Sequence, residues 1–502
     1  MASPNRSLLT KIDALDAAQS FPPLLSPRVE DALAGLANAK TPRSRKYRRS
    51  PLRQERAIGG QDRTLQERGR DDGIQYVPMD DLEAISEEAP VGSSYFGASA
   101  NGINLLLGVG VLSLPYALRT AGWYVGIGLL VFLTAVTNYT GKLIGRMMDK
   151  DPENIRSFGD IGKAAFGNVG QWTITIIFFL ELFSACGMYL ILTGDNLHTL
   201  FPHYKQFYWT LVGGVVMLPT ALTSRLSFLS YFSVIGTLAS SFLCLSVVYL
   251  GGVLENKNDS GGSYLDPSET RDFTSINSAP FAIGLVMVGF AGHACFPSIK
   301  LSLADPKDYN RVLNTSYCVC FSFYGLIAAL GYMMYGENVK EEITFNIVKS
   351  VQGEGVSPVA VSVATVATWL VAINPCTKFG LTMNPVALIA EEAFFGQASE
   401  DDFDDSEKGA CCDWRSFVVR VLLSTTCFFV AVYLPYFANV VAFVGAFCSC
   451  FVSLVFPCAA YLKMFWKNLG LFEIVLNSFL VVLGLILCVW GTLAVFVSRP
   501  SD

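Results

Sequence analysis

The chain has 502 residues, of which 52% are hydrophobic and only 16% charged. Soluble globular domains carry about 25% charged residues, so composition argues against a water-soluble enzyme or binding module. The formal net charge of −6 sums over two membrane faces and a polar tail, and points to no acidic or basic partner.

Residues 1–93 are rich in Ser, Pro, Arg, Asp and Glu and poor in aromatic residues. Such a segment buries too little apolar surface to offset the entropy of ordering. A disordered cytosolic N-terminal tail is expected, without the apolar core of a secretory leader. Its basic cluster RSRKYRR at 43–49 reads as a topology determinant. Contact with anionic lipid and a neighbouring kinase site are alternatives, so regulatory partners or kinases would act on this tail.

Eleven apolar stretches follow, near 96–118, 121–146, 170–195, 207–223, 228–254, 278–299, 312–335, 357–378, 416–435, 437–461 and 471–497. A helix needs about 20 apolar residues to cross a bilayer. The expected fold is an all-α integral membrane domain over 94–498, with eleven transmembrane helices. An odd number of crossings separates the termini. With the N-terminus in the cytosol, the cytosolic loops hold thirteen Lys and Arg against seven opposite, before the tail is counted. The positive-inside rule therefore places the C-terminus in the lumen or outside.

All thirteen cysteines fall in spans or at cytosolic edges, so no disulfide is expected. Cys411 and Cys412, just before the ninth span, are either palmitoylation candidates or inert thiols. Asn258 opens a glycosylation sequon in the lumenal loop after span five; the Asn314 sequon would face the cytosol and stay unmodified. The acidic run SEDDFDDSEK at 399–408 reads as a solvated loop.

The first span, NGINLLLGVGVLSLPYALRTAGW, contains Gly102, Gly108 and Gly110 and then Pro115. The sixth, GLVMVGFAGHACFPSI, repeats the pattern: aligning Pro297 with Pro115 brings Gly292 onto Gly110, at an offset of 182 residues. That offset is about five spans. Two five-span halves, about 96–254 and 278–461, would then lie inverted in the membrane, with 471–497 as an extra span. A backbone break in lipid leaves N–H and C=O groups unsatisfied at several kcal/mol each. Paired Gly/Pro-interrupted spans in corresponding positions therefore indicate a transporter's binding site, where the freed groups become ligands. Close helix packing is the structural alternative for such glycines.

A zwitterion suits two broken helices. Its carboxylate would be held by the N–H groups of Gly108, Val109 and Gly110, its amine by carbonyls near Phe290, Ala291 and Gly292. Asn104 would complete the substrate or a cation site, or else bond a neighbouring helix. Ionisable groups inside a membrane are costly and therefore candidate functional groups. Three are proton-coupling candidates: Glu181 in span three, His293 at the span-six break, and Asp195 near the lumenal end of span three. Each also has a structural reading, as a buried bonded acid, a partner of a freed carbonyl and an interfacial acid respectively.

These stretches, with GFAGHACFPSI and the following Asp305–Pro306, ELFSACGMYLILTGDNL in span three and NPCTKFGLTMNPVAL after span eight, resemble the amino acid/auxin permease family of the APC superfamily. The likeness covers residues 94–497 and is strongest to the plant vacuolar amino acid transporter branch, related to the vesicular GABA/glycine transporter. It implies a LeuT-type fold with a 5+5 inverted repeat, broken helices one and six, and secondary active transport of neutral amino acids. Such transport is usually proton-coupled, on a vacuolar membrane or alternatively the plasma membrane. Relatives commonly carry a second acid one turn after the span-three Glu, where this chain has Gly187 and Met188; substrate preference and coupling are open there. In the sodium-coupled alternative, span-eight hydroxyls of Thr365 and Thr368 would form a cation site. No cofactor or metal is expected, only an ion gradient. The chain lacks the Gly-x-Ser-x-Gly, His-Glu-x-x-His and Walker signatures of enzymes. A nutrient sensor signalling through its tail is the other reading.

Overall fold

A computed structural model of the chain describes residues 93–222, 226–255, 262–274, 278–353, 355–395, 414–434 and 436–497. The expected tail, Cys411, Cys412, the acidic loop and the Asn258 sequon lie outside the described residues.

The first span opens with Ser94 accepting from the Gly97 N–H, an N-cap that starts α1 (Tyr95–Leu106). The helix then stops. The chain resumes as a 3-10 turn at Val109–Ser113 and continues as α2 (Leu114–Ala121). Pro115 sits in the first turn of α2, where its missing N–H leaves no bond unmade. The two pieces are bent by 54°. At Gly122 φ is +79° and the nearby Asp272–Phe273 backbone leaves no room for a side chain, so only glycine fits the turn. It leads into α3 (Trp123–Lys150). A Ser157–Asp160 capping box opens α4 (Phe158–Leu200), which bends at Gly167. α5 (Gln206–Leu222) and α6 (Leu226–Val253) follow.

The sixth span is also in pieces: α7 (Ala279–Gly289), non-helical backbone at 290–292, a 3-10 turn at His293–Cys295, and α8 (Phe296–Ser302). Beyond it lie α9 (Tyr309–Tyr335), the short α10 (Ile343–Ser350), α11 (Pro358–Phe395) and α12 (Trp414–Tyr433). The tenth span joins α13 (Phe437–Val444) to α14 (Phe456–Phe465) through π-helical stretches at Gly445–Ser449 and Phe451–Val455. α15 (Leu471–Val497) is last.

Among the described residues nine helices are long and apolar enough to cross a membrane, and the bent α1–α2 pair makes ten. The remaining expected crossing corresponds to α5, which is apolar but has 17 residues. α4 includes a short helix before the kink at Gly167, so its membrane-crossing part starts near the expected 170. One expected boundary is corrected. α11 continues to Phe395, so NPCTKFGLTMNPVAL lies inside the eighth helix, with Pro375 and Pro385 in its interior. Proline normally ends a helix; here Phe379, Met383, Val386 and Ala387 are buried across that stretch, and tertiary packing outweighs the local preference.

Backbone bonds at both ends fix the first span against the sixth. The Ser93 N–H donates to the Ser302 carbonyl at 2.6 Å, so span one starts where span six ends. At the other end the Trp123 N–H donates to the Arg271 carbonyl at 3.1 Å and the Tyr124 N–H to the Asp272 carbonyl at 3.2 Å. The two broken spans therefore run antiparallel. Span six also packs backbone to backbone on span ten: a Cβ on Gly445 would fall 1.8 Å from the Gly284 carbonyl oxygen, an approach only glycine permits. On α12 and α15 the exposed Leu422, Phe429, Val482, Val489 and Leu493 form apolar faces suited to lipid.

Candidate functional site

The two breaks meet. A Cβ on Gly110 would lie 3.1 Å from the Gly289 nitrogen and 3.3 Å from its Cα, so the 3-10 turn of span one rests on the last turn of α7. Tyr324 of α9 joins them from the side. Its fully buried hydroxyl is bonded to the Leu106 carbonyl and, at 2.7 Å, to the Gly289 carbonyl. These are carbonyls at the ends of two half-helices, where the intrahelical partner is missing. Phe290, fully buried, stacks on Tyr317 at 5.9 Å and meets Tyr324 edge-on at 5.3 Å, which holds the span-six break in place.

At the first break the Gly108 N–H bonds to the Leu106 carbonyl at 2.6 Å, closing a tight local turn. Val109 and Gly110 open the 3-10 turn that follows, a position whose N–H groups have no partner within the helix. At the second break the Gly292 carbonyl accepts from the Cys295 N–H at 2.9 Å. Gly292 itself faces Leu105 and Leu106 of α1. The sequence alignment pairs Gly110 with Gly292, whereas the glycine that touches Gly110 in space is Gly289. Asn104 accepts from Thr237 of α6, so its side chain ties span one to span five.

The titratable candidates divide. Glu181 is buried and accepts from Ser449 Oγ at 2.6 Å, within a π-helical stretch of span ten. Its helix also packs on the span-six 3-10 turn at His293–Cys295. Glu181 therefore joins span three to span ten on a helix that touches the span-six break. His293 is completely buried; its Nε2 lies 3.0 Å from the Thr137 carbonyl and 2.9 Å from Thr140 Oγ1. A carbonyl only accepts, so Nε2 carries the proton, and the buried Nδ1 has no hydrogen-bond partner among the described residues. The ring thus pins the span-six turn to span two.

Asp195 is elsewhere. It lies fourteen residues beyond Glu181 on α4, about 21 Å along the helix. It accepts from Gln206 and shares a hydrogen bond with the fully buried Glu342. Asn196 Nδ2 donates to Glu342 at 2.7 Å, and the Ala438 N–H donates to Glu341 at 2.9 Å. Burial first, and then the charge of Asp195, hold the Glu342 carboxyl well above the usual carboxylate range; burial also raises Glu341.

Thr365 and Thr368, whose hydroxyls would form a cation site, lie on α11, the first half-buried and the second fully buried. Their hydroxyls donate to Val361 and Ala364 carbonyls of their own helix, at 2.8 and 2.9 Å, as threonines in membrane helices do. The α11 residue that reaches the first break is Lys378, ten positions beyond Thr368, whose Nζ donates to the Leu107 carbonyl at 3.1 Å. Sequence reading missed Lys378 because it falls at the expected end of span eight, where a lysine reads as a boundary. It missed Tyr324 because a tyrosine in an apolar helix carries no distinguishing signal. Among the described residues, no group of three or more His, Cys, Asp or Glu could hold a metal ion.

Comparison with known proteins agrees with this architecture. The chain is 32% identical over 410 residues to amino acid transporter AVT1D of Arabidopsis thaliana, covering 80% of this chain and 69% of the relative. It is 24% identical over 408 residues to the vesicular inhibitory amino acid transporter of Xenopus tropicalis, covering 78% and 75%. Among solved structures, a substrate-bound, outward-open Na+-coupled sialic acid symporter superposes with a TM-score of 0.50 at 12% identity, over 84% of this chain and 93% of that one; at that identity the likeness concerns the fold alone. The family model for transmembrane amino acid transporter proteins matches residues 92–497, which span the whole described region, and the chain belongs to that family.

Proposed function

We propose that the chain is a secondary active carrier that moves neutral amino acids across an endomembrane of the vacuolar type by alternating access, driven by protons. The observation that carries this reading is the meeting of two antiparallel broken helices, Gly110 against Gly289, with Tyr324 bonded to both. The substrate carboxylate would lie at the Val109 and Gly110 N–H groups, and its amine at the carbonyls of Phe290 and Ala291. No bond of the substrate is made or broken. Two inverted five-span halves would let the first-span bundle rock against the rest, opening the site to each face in turn. Glu181 would serve as the coupling acid: it is buried, on the helix that packs against the span-six break, and hydrogen-bonded across to span ten.

The test is uptake of a panel of labelled amino acids into proteoliposomes holding the purified protein, under imposed pH or sodium gradients. Proton-driven accumulation of neutral amino acids, abolished by an uncoupler, is the expected result. Binding without accumulation under either gradient would instead favour the nutrient-sensor reading.

A further inference from the structure

Lys378 is a cation inside the membrane domain, partly buried, on a helix flanked by apolar residues. The described residues around it are uncharged. α6 presents Gly236, which packs on the lysine Cε, and Ser240; α11 itself presents Asn374 and Thr377; the first break presents the Leu107 carbonyl. On α4, Glu181 is bonded to Ser449, and Asp195 belongs to the Glu342 pair. Among the described residues no charged group acts on Lys378, and no carboxylate pairs with it. A cation in such a place is costly unless something specific holds it. The holder is the C-terminal end of α1, where freed carbonyls and the negative end of the helix dipole converge.

A second acceptor waits one turn back on the same helix. Asn374 is buried and donates its amide N–H to Ser240 Oγ at 3.5 Å, while its Oδ1 has no hydrogen-bond partner among the described residues. A Cβ on Gly236 would lie 2.6 Å from that oxygen and 3.1 Å from the lysine Cε, so both groups face the same small gap. An ammonium has three N–H donors, and among the described residues only the bond to Leu107 is made.

We propose that the Lys378 ammonium is the resident cation of the first-span break: bound to the Leu107 carbonyl it clamps α1 to α11, and loss and recovery of its proton release and restore that clamp during the transport cycle. The proton leaves to water in the open site and returns from it; the Asn374 Oδ1 receives the side chain when the clamp is open. A bound sodium ion is then unnecessary at this break, since the fixed ammonium supplies the positive charge. The assignment rests on the carrier reading above and goes beyond it by naming a residue and a place.

The experiment compares the unaltered protein with Lys378→Arg and Lys378→Met in proteoliposomes. Two rates are measured for each: pH-gradient-driven accumulation of a labelled amino acid, and its exchange across the membrane without a gradient. Arginine keeps the charge but does not deprotonate in proteins, so Lys378→Arg is expected to lower the ratio of accumulation to exchange at least tenfold. Lys378→Met, which has neither state, is expected to lower it similarly. An unchanged ratio in Lys378→Arg overturns the assignment and leaves the carrier reading intact. Absence of both accumulation and exchange in the unaltered protein overturns the carrier reading, and this assignment with it. Should either variant fail to insert, the unaltered protein decides: accumulation that is equal in sodium and in choline supports a resident cation, and accumulation that requires sodium overturns it.

Discussion

The Tyr324 hydroxyl stands 2.7 Å from the Gly289 carbonyl while also bonded to the carbonyl of Leu106. A hydroxyl has one proton and two carbonyls compete for it, so Tyr324 satisfies the two half-helix ends in alternation. Any movement of the first span relative to the sixth changes which carbonyl is served. The side chain that stabilises the breaks is thus also the one best placed to report their relative position.

Tyr324→Phe removes that proton and leaves both carbonyls without their shared donor in a buried place. An unsatisfied buried carbonyl costs about 1–3 kcal/mol. The variant is expected to unfold at a lower temperature in detergent and to transport at least tenfold more slowly. Parallel thermal unfolding and uptake assays check this, and unchanged uptake would show that the bridge is dispensable for the cycle.

Gly110→Val tests the contact between the breaks. The valine Cβ alone would stand 3.1 Å from the Gly289 backbone nitrogen and 3.3 Å from Val288 Cγ1, tighter than ordinary contact before its two methyl groups are added. Backbone atoms of a packed span do not yield as a flexible side chain would. Transport is expected to be lost while membrane insertion persists, with Gly110→Ala intermediate. Measured uptake against surface-labelled or protease-protected protein separates the two effects. Full uptake by the valine variant would remove the argument from broken helices.

Much of this was readable from the chain. The pattern of glycine followed five residues later by proline, at Gly110–Pro115 and Gly292–Pro297, locates the interruptions because these residue types weaken helices wherever they occur. Glu181 was also legible, since a lone acid in an apolar stretch is conspicuous. The contacts between elements were not. The partner of Gly110 is Gly289 and not its counterpart Gly292, because packing depends on the tilt and rotation of both spans, which local periodicity does not encode. The length of α11 was hidden by Pro375 and Pro385, whose local preference is overridden by burial around them. The pairing of Asp195 with Glu342 joins residues 147 positions apart in sequence, one in a helix and one in a loop, so only the folded chain brings them together.

Glu181→Gln keeps the shape and a hydrogen-bonding partner for Ser449 Oγ while removing the titration. If Glu181 carries the coupling proton, the variant's uptake is expected to lose most of its dependence on pH, with exchange less affected than accumulation. Ser449→Ala, which removes the 2.6 Å bond to Oε1, should move the pH profile without flattening it. Initial rates across a pH series measure both. A Glu181→Gln profile that overlays the parent's would exclude this acid from coupling.

The acid pair at the other end of α4 bears on stability. Glu342 is held above its ordinary value of 4.5, first by burial and then by Asp195. A carboxyl that binds its proton more tightly in the folded than in the unfolded chain stabilises the fold while it is protonated. That contribution is complete below the ordinary value and is lost as pH rises through the raised folded value; each tenfold gain in proton affinity on folding is worth about 1.4 kcal/mol. The pair titrates jointly, so the loss is shared between the two carboxyls. The protein in detergent is therefore expected to melt higher at about pH 5 than at about pH 8. Glu342→Gln, which presents a permanently neutral side chain to Asp195, should shrink that difference by more than half. Melting temperatures of both proteins over this range provide the check, and a parent protein that melts higher at the alkaline end would mean that the two carboxyls do not share a proton in the fold.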